Sequence, residues 1–146
     1  MGPLDARGAI ITGASRGIGK AIASTFVTEG AKIVMAARDT DTLTSAAIEL
    51  KSGNAIISPI PTDVTKESQV VALFEQVNHE LGRIDILVNS AGTTEMGPID
   101  ELTLDQWYKV IDVNLTGAFL CTREAMKVMK NQGHGRIINI GSLSSQ

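Results

Sequence analysis

The sequence predicts an α/β protein built on one doubly wound parallel sheet, with five strands in the order β-α-β-α-β-α-β-α-β. Three observations carry this expectation. Five short runs are nearly continuous in apolar character instead of alternating, as strands covered on both faces are. The segments between them place apolar residues at helical spacing. The two kinds of segment alternate without exception, which calls for parallel strands joined by right-handed crossovers.

The strand-like runs are GAIIT (8–12), AKIVMAA (31–37), AIISPI (55–60), IDILVNS (84–90) and RIINIG (136–141). After the first comes a helix whose inner face carries Ile18, Ile22, Phe26 and Val27, with Gly30 placed to end it. DTLTSAAIELKSG predicts a second helix, with Asp41 or Thr40 as cap and Gly53 as stop. TKESQVVALFEQVNHELG predicts a third, starting at Thr65 with Ser68 three residues on, packing through Val70, Val71, Phe74, Val77 and Leu81, and stopping at Gly82. The longest helix spans about 104–131 and closes with Gly133.

A length of 146 residues predicts one domain, covering 1–146. With 43% hydrophobic and 20% charged residues, the chain has the composition of an ordered globular protein. A net charge of −3 and the lack of any Lys/Arg-rich run argue against nucleic acid as a partner. Cys121 is the only cysteine, so no intramolecular disulfide forms, as suits a reducing compartment. MGPLDARG lacks the apolar core of a secretory signal, and no apolar run is long enough to span a membrane. The expectation is a soluble, cytoplasmic protein without a membrane partner.

TGASRGIGK (12–20) is the stretch most clearly shaped for a ligand. A triphosphate loop needs glycine at 14 and a hydroxyl at 21, but both positions are alanine, so no side-chain oxygen would hold Mg²⁺. A dinucleotide loop needs a tight turn out of the first strand, a close backbone approach to pyrophosphate, and a helix N-terminus aimed at the charge. Gly13, Gly17 and Gly19 can serve these roles, at the spacing G-x-x-x-G-x-G rather than G-x-G-x-x-G. The alternative role for such a loop is tight strand–helix packing alone.

TGASRGIG resembles the Thr-Gly-x-x-x-Gly-x-Gly fingerprint of the short-chain dehydrogenase/reductase family. Four further stretches resemble family segments in the same order: TDV (62–64), NSAG (89–92, with Ser90 in place of a second asparagine), VNLTGAF (113–119) and GRIINIGS (135–142). The resemblance covers nearly the whole chain. It implies a Rossmann-type sheet, truncated relative to the family, and an oxidoreductase moving hydride between a nicotinamide dinucleotide and a ketone or secondary alcohol. It also implies cofactor contacts from Gly13, Ser15, Arg16, Gly17, Ile18 (through its backbone N–H), Gly19, Arg38, Asp63, Val64, Asn89, Ala91 and Gly92. Asp63 would accept from the adenine amino group or instead cap the helix that follows. Asn89 would tie the fourth strand to a neighbour while its backbone lines the adenosine site.

The second strand runs out in MAARD. NAD-preferring relatives place an aspartate where this chain has Ala37, and Arg38 follows, so the resemblance favours NADP(H) over NAD(H), with Arg16 and Arg38 clasping a 2′-phosphate. Asp39 leaves an alternative open, because a one-residue shift would put it on the ribose.

Family chemistry uses a tyrosine as acid–base, a lysine that lowers its pKa, a serine that orients the substrate oxygen, and an asparagine that anchors a relay water. Ser142 matches the serine, with Ser144 a weaker rival, and Asn114 matches the asparagine. No Tyr-x-x-x-Lys lies within the 146 residues. The single tyrosine, Tyr108, is followed four residues later by Asp112 and, beside Trp107, reads as helix packing. His79 and His134 lack metal-ligand spacing, so no metal is expected. Cys121 reads as a small buried residue rather than a nucleophile. The 146 residues alone are therefore expected to bind a cofactor without turnover, the alternative to an active enzyme being an inactive nucleotide-binding fragment. Met96 and Ile99 would line one wall of a substrate pocket, the last strand would be an open edge, and a homo-oligomer through the long helix would follow the family habit.

Overall fold

The computed structural model describes residues 2–142. Its strands are β1 (Gly8–Thr12), β2 (Lys32–Ala37), β3 (Ile57–Pro61), β4 (Ile86–Asn89) and β5 (Arg136–Asn139). Its helices are α1 (Gly17–Thr28), α2 (Thr40–Leu50), α3 (Glu67–Leu81), α4 (Leu104–Ile111) and α5 (Gly117–Gln132), with a π-helical turn over Asp112–Thr116 between the last two. The strands form one parallel sheet in the order β3-β2-β1-β4-β5. The chain winds outward through β2 and β3, then returns to the other side of β1. That reversal opens a crevice beyond the carboxyl ends of β1 and β4.

Every residue of β1 and β4 is buried, as their unbroken apolar runs require. Because neighbouring side chains point to opposite faces, the central strands feed two cores. Ile10, Val34 and Leu87 meet Val70, Phe74, Val77, Leu120 and Cys121 on the side of α3 and α5. Ile11, Ile33, Met35 and Val88 meet Ala23, Leu43, Ala46 and Ala47 on the side of α1 and α2. Burial pushes the Cys121 thiol up to about 12, so it stays protonated and inert. Among the described residues, no helix is long and apolar enough to cross a membrane.

Three helix boundaries depart from expectation. Asp39, not Thr40 or Asp41, caps α2 by accepting from the Thr42 amide at 2.8 Å. Thr65 and Ser68 do not start α3. Asp63 instead captures the Thr65 amide (3.0 Å) and hydroxyl (2.8 Å) in a turn, delaying the helix to Glu67. The long helix is interrupted by the π turn at 112–116. Helix α4 buries none of its residues, so Trp107 and Tyr108 are half-exposed rather than packed in the core.

The amino ends of the strands are fastened by Asp85, which is only 4% exposed. Its carboxylate accepts from the Gly8 amide (2.8 Å) and Arg83 Nε (2.6 Å), and pairs with Arg7 Nη1 (3.3 Å) and His134 Nε2 (2.8 Å). One side chain thus ties β1, β4 and the turn leading into β5. Burial by itself raises the carboxyl's pKa. The bonds from Arg83, Gly8 and His134 and the Arg83 charge outweigh it and hold the group well below the usual carboxylate range. A depressed pKa contributes stability that is complete above the unfolded carboxyl's range and is lost as pH falls through the folded value. Asp85→Asn is expected to cost about 2 kcal/mol near pH 7, because its side-chain partners Arg7, Arg83 and His134 are part-exposed and regain water. Its stability should also fall less steeply below pH 4 than that of the wild type, as measured by urea unfolding across pH 2–7.

Candidate functional site

A cleft of about 650 Å³ opens at the carboxyl ends of β1, β2 and β4. The β1–α1 loop supplies Gly13, Ser15, Arg16, Gly17, Ile18 and Gly19. The end of β2 and the start of α2 add Ala37, Arg38, Asp39 and Thr42. The turn after β3 adds Thr62, Asp63 and Val64, and the loop after β4 adds Ser90, Ala91 and Gly92. Val113 and Ile140 close the far side. All but one of the residues expected around a dinucleotide therefore share one cleft.

The exception is Asn89, which is not among the lining residues. Its amide Nδ2 donates to Thr122 Oγ1 (3.1 Å) and Asn139 Oδ1 (2.8 Å), and its carbonyl accepts from the Ile140 amide (3.0 Å). Asn89 therefore ties β4 to β5 and α5 beneath the cleft, with its buried Oδ1 lacking a protein partner. Ser142, exposed three residues past the end of β5, is also not among the lining residues. Ser144 lies outside the described residues. Asn114 stands in the π turn with both halves of its amide engaged by Thr93: Oδ1 accepts from the Thr93 N–H and Nδ2 donates to the Thr93 carbonyl, each at 2.8 Å.

Local geometry explains the shape of the cleft. Helix α1 starts at Gly17 behind Arg16, whose side chain makes no capping bond. The first amides of α1 therefore face the cleft without a side-chain acceptor, at the positive end of the helix dipole. A Cβ on Gly19 would sit 2.4 Å from the Gly13 carbonyl oxygen, so only glycine lets helix and strand end meet this closely. Gly17 has φ +55° and a Cβ there would touch no protein atom, so this glycine serves the turn and leaves space in the cleft.

Among the described residues, neither Arg16 nor Arg38 has a carboxylate within ion-pair distance. Burial raises the Asp63 carboxyl, but bonds from the Thr65 hydroxyl and amide, with the charges of Arg38 and Lys66, hold it below its ordinary value. The cleft thus presents two guanidinium groups and a helix N-terminus at one end and an ionised Asp63 at the turn after β3. Such an arrangement suits a ligand that carries phosphate and amine groups on one scaffold.

The hydroxyl of Thr12 is the structural residue that the sequence reading missed. It is buried, accepts from the amides of Ser90 and Ala91 (3.1 Å each) and donates to the Val88 carbonyl (3.4 Å). It locks the loop after β4 against the end of β1. The signal was its place at the head of TGASRGIG, where it reads as an ordinary strand end.

Residues 7–146 match the family model described as short chain dehydrogenase, and the chain belongs to that family. The chain is 39% identical over 136 residues to an uncharacterized oxidoreductase of Staphylococcus aureus (strain MRSA252), covering 93% of this chain and 58% of the relative. It is 39% identical over 136 residues to the uncharacterized oxidoreductase YxjF of Bacillus subtilis (strain 168), covering 93% and 53% respectively. The crystal structure of a short-chain type dehydrogenase/reductase from Mycobacterium marinum superposes with a TM-score of 0.93 at 38% identity, over 97% of this chain and 58% of that one. The chain thus spans somewhat over half the length of these relatives. Family membership implies a nicotinamide dinucleotide cofactor, and the uncapped start of α1 and the open space at Gly17 fit one.

Thr12→Val keeps the shape of the side chain but strands the Ser90 and Ala91 amides. It is expected to destabilise the chain by about 2–3 kcal/mol in denaturant unfolding, whereas Thr12→Ser should cost under about 1 kcal/mol.

Proposed function

We propose that this chain is the cofactor-binding part of an NADP(H)-dependent oxidoreductase acting on a ketone or secondary alcohol. The observation that carries this reading is the joint presence, in one cleft, of the uncapped α1 N-terminus and of Arg16 and Arg38, neither of which has a carboxylate within ion-pair distance among the described residues. The amides of Gly17, Ile18 and Gly19 would hold the pyrophosphate, with Gly13 and Ser15 shaping the turn. Arg16 and Arg38 would clasp the 2′-phosphate of the ribose. Asp63 would accept from the adenine amino group through Oδ2, since Oδ1 already holds Thr65, while Val64 packs against the ring. Ala91 and Gly92 would border the ribose on the β4 side, with Asn89 supporting them from below. The choice of NADP over NAD is supported by Asp39, whose Oδ1 is spent on capping α2.

The cofactor, when bound, supplies or takes the hydride. Ser142 would orient the substrate oxygen. Thr93 takes one N–H and one lone pair of the Asn114 amide and fixes its orientation, leaving a second N–H and lone pair with which Asn114 would hold a relay water. General acid–base transfer in this family resides in a Tyr-x-x-x-Lys pair, and the 146 residues contain none. Assayed alone, they are proposed to bind dinucleotide and turn nothing over.

Calorimetric titration with NADPH, NADH and ATP tests the reading, with NADPH expected to bind most tightly and ATP least. Arg38→Asp should weaken NADPH by about tenfold or more and NADH by less than about threefold. Equal losses for both would remove the arginine clasp, and hydride transfer by the 146 residues alone would show that the tyrosine and lysine are dispensable.

A further inference from the structure

The residue after Arg38 is an aspartate, and both line the cleft. This is an awkward pair for a 2′-phosphate. A carboxylate free to turn toward the ribose would repel the phosphate, pair with the guanidinium meant for it, and accept from a free 2′-hydroxyl instead. What prevents this here is Thr42. Its amide donates to Asp39 Oδ1 at 2.8 Å and its hydroxyl donates to the same oxygen at 2.7 Å. Together they fold the carboxylate down onto the first turn of α2, and no ion pair joins Asp39 to Arg38 among the described residues. The hydroxyl bond matters most for control, because it is the one a side-chain change can remove. Thr42 is itself exposed at the cleft wall, so it has no packing role that would explain the bond.

We infer that Thr42 is a specificity-determining positioning residue: by holding the Asp39 carboxylate as the cap of α2, it keeps Arg38 available to a ribose 2′-phosphate. The inference rests on reading the cleft as a dinucleotide site. It adds that the preference for a phosphorylated ribose is set not by Arg38 alone but by where the neighbouring anion is tethered. The two bonds from Thr42 hold the Asp39 carboxyl below its ordinary value, so the tethered group is an anion at neutral pH.

The test is calorimetric binding of ADP-ribose and of its 2′-phosphate to the 146-residue chain, with no turnover required. Thr42→Val is expected to lower the preference for the 2′-phosphate by about fivefold or more, through weaker phosphate binding and unchanged or tighter ADP-ribose binding. Thr42→Ser should keep the wild-type preference within about twofold, because it keeps the hydroxyl. The double variant Thr42→Val/Asp39→Asn should regain the wild-type preference, because a neutral amide neither repels phosphate nor competes for Arg38. If Thr42→Val binds both ligands with the wild-type ratio, or loses both equally, the positioning role is overturned. If the double variant stays as weak for the phosphate as the single one, the hydroxyl contacts the ligand directly and the role through Asp39 is overturned. A wild-type chain that binds neither ligand would instead overturn the dinucleotide reading on which the inference rests.

Discussion

One buried oxygen sets the distance on which the cleft depends. Thr12 Oγ1 accepts from two successive amides of the loop after β4 and thereby holds two strand ends together where the sheet reverses direction. Pairing between β1 and β4 ends at Ile11 and Val88, so no shared ladder guides the two loops that follow. A hydroxyl can serve two donors and one acceptor at once, and no apolar residue of the same shape can. With the loops fixed, the close approach at Gly19 seats α1 directly behind the β1 turn, and the bare amides of the helix start point into the space between them.

The electrostatics follow the same division of labour. Carboxylates near the cleft are mostly committed to backbone: Asp39 to the α2 start and Asp63, through one oxygen, to Thr65. The guanidinium groups of Arg16 and Arg38 are not committed to any carboxylate among the described residues. The contrast with the amino ends of the strands is plain, since Arg7, Arg83 and His134 there all bond to the single carboxylate of Asp85. The arginines that serve the fold are neutralised, and those lining the cleft have no ion-pair partner among the described residues.

The strands and their order along the chain were legible because burial on both faces leaves continuous apolar runs in the sequence. Cleft residues were legible where a motif demanded a particular backbone, as in the glycines of the β1–α1 loop. What could not be read was decided by competition between neighbouring polar groups. Asp39, Thr40 and Asp41 are all acceptable caps, and the choice among them depends on where β2 ends. Asp63 could begin a helix or a turn, and Thr65 supplied two donors to the turn. The π turn at 112–116 left no periodic trace, because it inserts one residue into an otherwise regular helix. Asn89 was expected to tie β4 to a neighbouring strand and does so through Asn139; what the motif did not reveal is its second tie, to Thr122 on α5, and its place outside the cleft lining.

The Asp85 cluster and the cleft sit at opposite ends of β1, from Gly8 to Gly13, which separates them by roughly 16 Å. At physiological ionic strength that is about twice the screening length. Charge rearrangements at one end are therefore nearly invisible to a ligand at the other. The lower rim of the sheet is accordingly a place where this scaffold can be hardened, by added ion pairs or tighter packing, without retuning what the upper rim recognises.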